Sequence, residues 1–189
     1  MKEVFIDVER CMGCKSCEIA CAVGHSISKD LFGALLEKPV PRKRIHVEKA
    51  LQFSYPARCM HCSDAACITA CPSGAMHRDA DTGGVALNED RCMGCWMCAM
   101  VCSFGAISAA PDKKTVLKCD LCKSRLAEGK PPACVESCPT KALLFIEPDE
   151  LSKGKRLIIA RSVAAAVGRT TEEETTVSPL EILRQSGGF

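Results

Sequence analysis

Sixteen cysteines in 189 residues fall into four groups of four with none left over. The first group is Cys11, Cys14, Cys17 and Cys21, and the third is Cys92, Cys95, Cys98 and Cys102; both read C-x2-C-x2-C-x3-C. The second is Cys59, Cys62, Cys67 and Cys71, with four residues in its middle gap. The fourth is Cys119, Cys122, Cys134 and Cys138, with eleven residues between its inner pair. Every group opens with C-x2-C and closes with C-x3-C. Aromatic residues make up only 4% of the chain, so a core of ordinary large side chains is thin, and cross-linking by disulfides or metal has to supply the order.

The spacing discriminates between those two. Three closely spaced thiolates can wrap one corner of a cubane while a fourth, just inside the following helix, points toward a neighbouring cluster; this is the pattern of bacterial ferredoxins. Gly13 and Gly94 stand between the first two cysteines of groups one and three, where a residue without Cβ lets the backbone turn tightly. Pro72 and Pro139 follow the last cysteine of groups two and four. Zinc ribbons use paired C-x2-C but seldom add a third and fourth cysteine so close. Disulfides need an oxidising compartment, and cysteines three apart are poorly placed to bridge each other. The cysteine pattern therefore predicts four 4Fe-4S clusters.

The formal charge of +2 argues against a nucleic-acid surface, which normally shows as a strongly basic domain. Electron counting gives each oxidised cluster with four thiolates a charge of about −2, so the holoprotein is expected to be acidic, with Arg42-Lys43-Arg44 and Lys153 to Arg156 partly offsetting it. The first ten residues, MKEVFIDVER, contain no apolar h-region or twin arginine, and no run approaches 18 apolar residues; the expectation is a cytoplasmic protein without a membrane span.

Similar material follows the groups: Ser73-Gly74-Ala75-Met76, Ser103-Phe104-Gly105-Ala106-Ile107 and Thr140-Lys141-Ala142-Leu143, which points to duplicated units. Residues 77 to 91 read as a hairpin around Gly83-Gly84, and 45 to 59 as strands bridging groups one and two. Asp79 and Asp81 have a faint look of a calcium loop, but the other ligand positions are missing and a turn is the simpler reading. Residues 155 to 168 are expected to form a short apolar-faced helix, and Ser178-Pro179-Leu180-Glu181 the start of a small terminal one running to about Arg184.

With all four groups in view, residues 3 to 147 resemble the four-cluster electron-transfer subunits of the dimethyl sulfoxide reductase beta-subunit type. ERCMGCKSCEIACAVGHSISKDLF, PRKRIHVE and CMGCWMCAMVCSFGAI look most like the iron-sulfur protein that accompanies carbon monoxide dehydrogenase. The resemblance implies an α+β fold of two pseudo-symmetric bacterial-ferredoxin-like units with short β-hairpins and helices, spanning 1–149; residues 150–189 lie outside the common pattern and read as a C-terminal helical tail that covers the core or docks a partner. It implies shared ligands: Cys11, Cys14, Cys17 and Cys138 on cluster 1; Cys21, Cys119, Cys122 and Cys134 on cluster 2; Cys59, Cys62, Cys67 and Cys102 on cluster 3; Cys71, Cys92, Cys95 and Cys98 on cluster 4. In respiratory nitrate reductase relatives a tryptophan replaces one cysteine of group three; here Cys95 is present and Trp96 is its neighbour, so all four clusters are expected to be four-iron, with Trp96 as a hydrophobic cover. Ala22 and Ser103 stand where many ferredoxins have proline.

The chain carries no GxGxxG fingerprint, no P-loop and no separate radical-SAM motif, so no catalytic residue is expected. His25, His46, His61 and His77 are scattered and read as surface or structural. The function this predicts is a one-electron relay between a catalytic redox enzyme, carbon monoxide dehydrogenase in the first place, and a second protein such as a hydrogenase, ferredoxin or NAD(P)-linked flavoprotein. The alternatives are the same relay on a tungsten aldehyde oxidoreductase, a formate dehydrogenase or a hydrogenase, or an accessory protein for metallocentre maturation.

Overall fold

A computed structural model describes residues 2–111 and 114–167. The chain divides into two compact units, Val4–Phe145 and a second formed by Met1–Glu3 with Ile146–Phe189.

The larger unit is built from short elements strung between the cysteine groups. In order they are β1 (Glu3–Ile6), α1 (Ser16–Gly24), α2 (Leu31–Leu36), β2 (Ile45–Ala50), β3 (Phe53–Arg58), α3 (Ala66–Thr69), β4 (Met76–Arg78) and β5 (Val85–Leu87). Next come α4 (Met97–Met100), β6 (Ile107–Ala109), β7 (Val116–Lys118), α5 (Lys123–Ala127), α6 (Ala133–Glu136) and β8 (Leu143–Ile146). The strands form four two-stranded sheets, β1 with β8, β2 with β3, β4 with β5 and β6 with β7.

The predicted hairpins form where the turn chemistry sits. In β2–β3 the register runs from Ile45 opposite Arg58 to Ala50 opposite Phe53, and Leu51 takes a left-handed φ of 53° to close the two-residue turn. In β4–β5 the Asp79 carboxylate accepts the amides of Asp81 and Thr82 at 3.2 and 2.9 Å and the Thr82 hydroxyl at 2.9 Å. That is an Asx-type turn, as the sequence leads one to expect over a calcium loop.

Two separate cores result. One gathers Val4, Cys17, Cys21, Ile45, Val47, Leu121, Cys134, Cys138, Ala142 and Leu143; the other Ala65, Met76, Val85, Cys98 and Val116. Each is made of segments distant in sequence, and cysteines occupy positions that larger apolar side chains would fill elsewhere. This is the expected α+β arrangement of short hairpins and helices in a ferredoxin-like fold.

Two features differ from the sequence reading. An additional helix, α2, follows group one: Asp30 caps it by accepting the amide of Gly33 at 2.9 Å, and Glu37 closes the loop by accepting the amides of Ile27 and Ser28 at 3.1 and 2.8 Å. In the second unit, α7 (Pro148–Ala166) starts seven residues before the predicted helix. Pro148 supplies a first-turn φ at no hydrogen-bond cost, Asp149 and Glu150 face the positive end of the helix dipole, and the Glu150 carboxylate accepts the Glu147 amide at 3.2 Å. The helix expected from Ser178 lies outside the described residues.

Candidate metal centres

Each cysteine group is a loop followed by a helical turn. The residue before the second cysteine has a left-handed φ in all four groups: Gly13 at 72°, His61 at 50°, Gly94 at 69° and Leu121 at 59°. The turn folds the first two thiols onto one side. At Gly94 a Cβ would also collide with the carbonyl oxygen of Lys114, so a side chain is excluded there twice over, whereas His61 and Leu121 carry the same conformation without glycine.

The third cysteine of every group lies on a helix, Cys17 on α1, Cys67 on α3, Cys98 on α4 and Cys134 on α6, and the fourth follows one turn later. Four residues of helix advance about 6 Å. The two thiols of a C-x3-C pair thus lie on one face of a single helical turn, one step apart along its axis.

The structure shows which thiols come together. Cys59, Cys62, Cys67 and Cys102 line one cavity of about 100 Å³. Cys71, Cys92, Cys95 and Cys98 line another, much smaller one of about 10 Å³, beside Trp96 and Met76. Burial pushes the Cys17 thiol up to about 11, helped by Cys138, Cys14 and Cys11. Burial likewise pushes Cys21 up to about 12, with Cys119 and Cys122 adding to it. The same three, Cys119, Cys122 and Cys21, act behind burial in driving Cys134 well above its usual value.

Donor chemistry fits an iron-sulfur group. Several buried thiols that repel one another as anions resist ionisation by themselves, and a cationic metal core removes that penalty because a coordinating thiol is deprotonated outright. Amides already point at individual sulfurs: Arg44 at Cys21 (3.3 Å), His61 at Cys59 (3.5 Å), Met76 at Cys71 (3.5 Å) and Ala142 at Cys138 (3.2 Å). Ser73 and Thr140 hydroxyls lie 3.6 and 3.7 Å from Cys71 and Cys138, so the Cys-Pro-Ser and Cys-Pro-Thr segments are structural equivalents. The Ser16 hydroxyl and amide hold the exposed Cys14 thiol below its ordinary value. Such donors to sulfur tune a cluster's potential.

Two of the histidines are tied into this framework. His25 Nδ1 lies 2.7 Å from the Cys21 carbonyl and its Nε2 3.0 Å from Asp120, which also takes Arg44 at 2.7 Å. His61 Nδ1 accepts the Val85 amide at 3.0 Å; burial, then Lys118 and Arg58, lower its pKa to about 3, so it is a neutral structural ring. His77 is exposed and His46 half-buried. Sequence reasoning missed Arg58 and Lys118: both are buried, at 3% exposure each, and both stand directly before the first cysteine of a group.

Comparison with known proteins agrees with this chemistry. Residues 50–147 match the family described as a 4Fe-4S dicluster domain. The B subunit of anaerobic dimethyl sulfoxide reductase from Escherichia coli (strain K12) is 42% identical over 154 residues, covering 79% of this chain and 75% of its own. An iron-sulfur protein from Rhodospirillum rubrum is 39% identical over 173 residues, covering 85% and 90%. The electron transport protein HydN of Escherichia coli (strain K12) is 35% identical over 165 residues, covering 79% and 90%. Sixteen cysteines in four such groups hold four 4Fe-4S clusters. The protein belongs to the 4Fe-4S dicluster family, among the iron-sulfur electron-transfer proteins related to the B subunit of anaerobic dimethyl sulfoxide reductase.

Proposed function

We propose that this protein relays single electrons through four clusters held by Cys11, Cys14, Cys17 and Cys138; by Cys21, Cys119, Cys122 and Cys134; by Cys59, Cys62, Cys67 and Cys102; and by Cys71, Cys92, Cys95 and Cys98. The observation that carries the reading is the grouping of thiols into these quartets, with an exposed cysteine in only the first and last of them, Cys14 and Cys95. Cys17 and Cys21 share α1, linking the first two quartets. Cys98 feels Cys67 as well as its own neighbours, linking the third and fourth.

The iron-sulfur groups supply the redox chemistry when bound. The polypeptide fixes their spacing, keeps every thiol of the inner pair at least partly buried and leaves the outer pair reachable. Cys14 is flanked by Met12, and Cys95 by Met93, Trp96 and Met97, all at least a third exposed. These apolar rims suit electron exchange with another protein, because a partner that docks there brings its own redox group close to an outer cluster. No helix among the described residues is long and apolar enough to cross a membrane, and a reducing cytoplasmic setting keeps the thiols available as ligands.

The catalytic partner is a redox enzyme, with carbon monoxide dehydrogenase favoured by the likeness of the group-one and group-three segments; the second partner is a hydrogenase, ferredoxin or NAD(P)-linked flavoprotein. The C-terminal extension, 150–189, is assigned to docking, for which α7 offers Ile159 and Val163 exposed one turn apart. The test is anaerobic isolation of the native protein, size exclusion and mass spectrometry of what remains bound. A stoichiometric carbon monoxide dehydrogenase that reduces the clusters when carbon monoxide is added is the expected result. Another oxidoreductase in its place overturns the partner, and a lone monomer that no oxidoreductase reduces overturns the subunit reading.

A further inference from the structure

Among the described residues two basic side chains are buried, Arg58 and Lys118, and their settings match. Each ends the second strand of an antiparallel hairpin, Arg58 on β3 and Lys118 on β7. Each immediately precedes the first cysteine of a group and donates to that cysteine's carbonyl, Arg58 Nη1 to Cys59 and Lys118 Nζ to Cys119, both at 2.5 Å. Each also donates to the carbonyl of a valine on another segment, Arg58 to Val4 and Lys118 to Val85.

A buried cation ordinarily sits against a carboxylate, because an unpaired charge in the interior is costly. Neither of these does: the salt bridges among the described residues involve Arg10, His25, Lys43, Arg44, Lys123, Arg125 and Lys130. Neutral carbonyls solvate the two charges without neutralising them, and Arg58 Nε is buried with no hydrogen-bond partner. Lys118 also borders a cavity with Asp79, Glu89 and Asp120 but pairs with none of them, and both cations have thiols close by. Lys118 lines the cavity of Cys59, Cys62, Cys67 and Cys102. Arg58 stands opposite Ile45 across the hairpin, next to Arg44, whose amide donates to the Cys21 sulfur, and its acceptor Val4 packs with Ile45 in the core that holds Cys21 and Cys134. The pattern is crossed: each cation stands in sequence beside one quartet and acts in space on a quartet anchored by the other segment.

We propose that Arg58 and Lys118 are the resident counter-charges of the two inner clusters and raise their reduction potentials, Arg58 chiefly at the Cys21, Cys119, Cys122 and Cys134 site and Lys118 chiefly at the Cys59, Cys62, Cys67 and Cys102 site. The inference rests on the ligand sets proposed above. A four-iron cluster with four thiolates carries about −2 when oxidised and one further negative charge when reduced, so a fixed cation in a water-poor interior favours the reduced state. The outer sites, around Cys14 and Cys95, are nearer solvent. Raising the inner pair selectively makes the middle of the relay easier to reduce and holds electrons between two surface clusters.

The test is a redox titration with dithionite, followed by electron paramagnetic resonance, on the anaerobically purified holoprotein and its variants, with iron counted on each sample. Cys122→Ser and Cys62→Ser identify which signal belongs to which inner site. Arg58→Gln is expected to weaken the reduction equilibrium of the signal altered by Cys122→Ser at least tenfold, a fall of about 59 mV for a one-electron couple. Lys118→Gln is expected to do the same to the signal altered by Cys62→Ser. Arg58→Lys and Lys118→Arg, which keep the charge, are expected to stay within about threefold of the parent, and they decide the matter alone if a glutamine variant loses iron. Iron-replete glutamine variants that titrate like the parent overturn the inference, as do charge-keeping variants that fall by tenfold. A failure of the ligand sets shows separately, as Cys21→Ser altering a signal other than the one altered by Cys122→Ser, or Cys102→Ser one other than that altered by Cys62→Ser.

Discussion

Glu18 accepts the backbone amide of Val47 at 2.6 Å from the turn of α1 that carries Cys17 and Cys21, and its other oxygen holds Lys43 at 2.6 Å. One buried carboxylate thus fixes the first cysteine helix against the β2–β3 hairpin. Glu18→Ala leaves a buried amide unpaired, for which the ordinary cost is about 1–3 kcal/mol. The expected outcome is a lower denaturant midpoint and faster iron release to a chelator, with Glu18→Gln intermediate because it can still accept the amide.

Gly94 and Gly105 both have left-handed φ, 69° and 57°, but differ in their surroundings. At Gly105 nothing lies within 4 Å of an added Cβ, so Gly105→Ala is expected to cost only about 1 kcal/mol, from the backbone conformation. At Gly94 the added carbon runs into the Lys114 carbonyl, and Gly94→Ala is expected to cost several-fold more or to disturb the Cys92, Cys95 and Cys98 loop. Thermal unfolding of the two holoproteins, with iron counted, separates them.

Lys123, followed by the Thr82 amide and hydroxyl, holds the Asp79 carboxyl well below the usual carboxylate range. A carboxylate whose folded pKa is depressed contributes stability above its unfolded pKa, about 3.9, and loses it as pH falls toward the folded value. The stability difference between the parent and Asp79→Asn is therefore expected to be full near pH 6 and to shrink as pH drops below about 4. Chelator-driven unfolding measured across that range checks it; a difference that grows toward low pH contradicts it.

Much of this fold and its sites is legible in the sequence because cysteine spacing is local. C-x2-C implies a tight turn and C-x3-C a helical turn, and Asp79 with Gly83-Gly84 announces a hairpin. What is not legible depends on distant contacts. The β1–β8 sheet needs two strands more than 130 residues apart, and no periodicity in four-residue strands declares such a partner. Nothing in the sequence singles out Arg58 and Lys118, since burial of a single cation follows from the packing of other segments over it. The onset of α7 is hidden for a different reason: Pro148 looks like a terminator until its place at the first helical turn is seen.

Trp96 lines the cavity of Cys71, Cys92, Cys95 and Cys98 and is itself 36% exposed, in the left-handed position after Cys95. Its ring screens an outer site from water, and greater solvent access favours the more charged, reduced state of a cluster. Trp96→Ala is expected to raise the potential of that one cluster while leaving the other three unchanged. Redox titration of the variant checks the prediction, and a uniform shift of all four signals contradicts it.

The buried thiols drawn together in each core are stable neighbours only with metal among them, so iron and folding are expected to be coupled. The most direct measurement is the iron and acid-labile sulfide content of the anaerobically purified protein, read together with circular dichroism before and after iron is stripped. The account predicts about sixteen irons and as many sulfides per chain, four for each quartet of cysteines, and loss of the cooperative unfolding transition on removal. About one metal per quartet without sulfide, or an iron-free chain that still melts cooperatively, would contradict it.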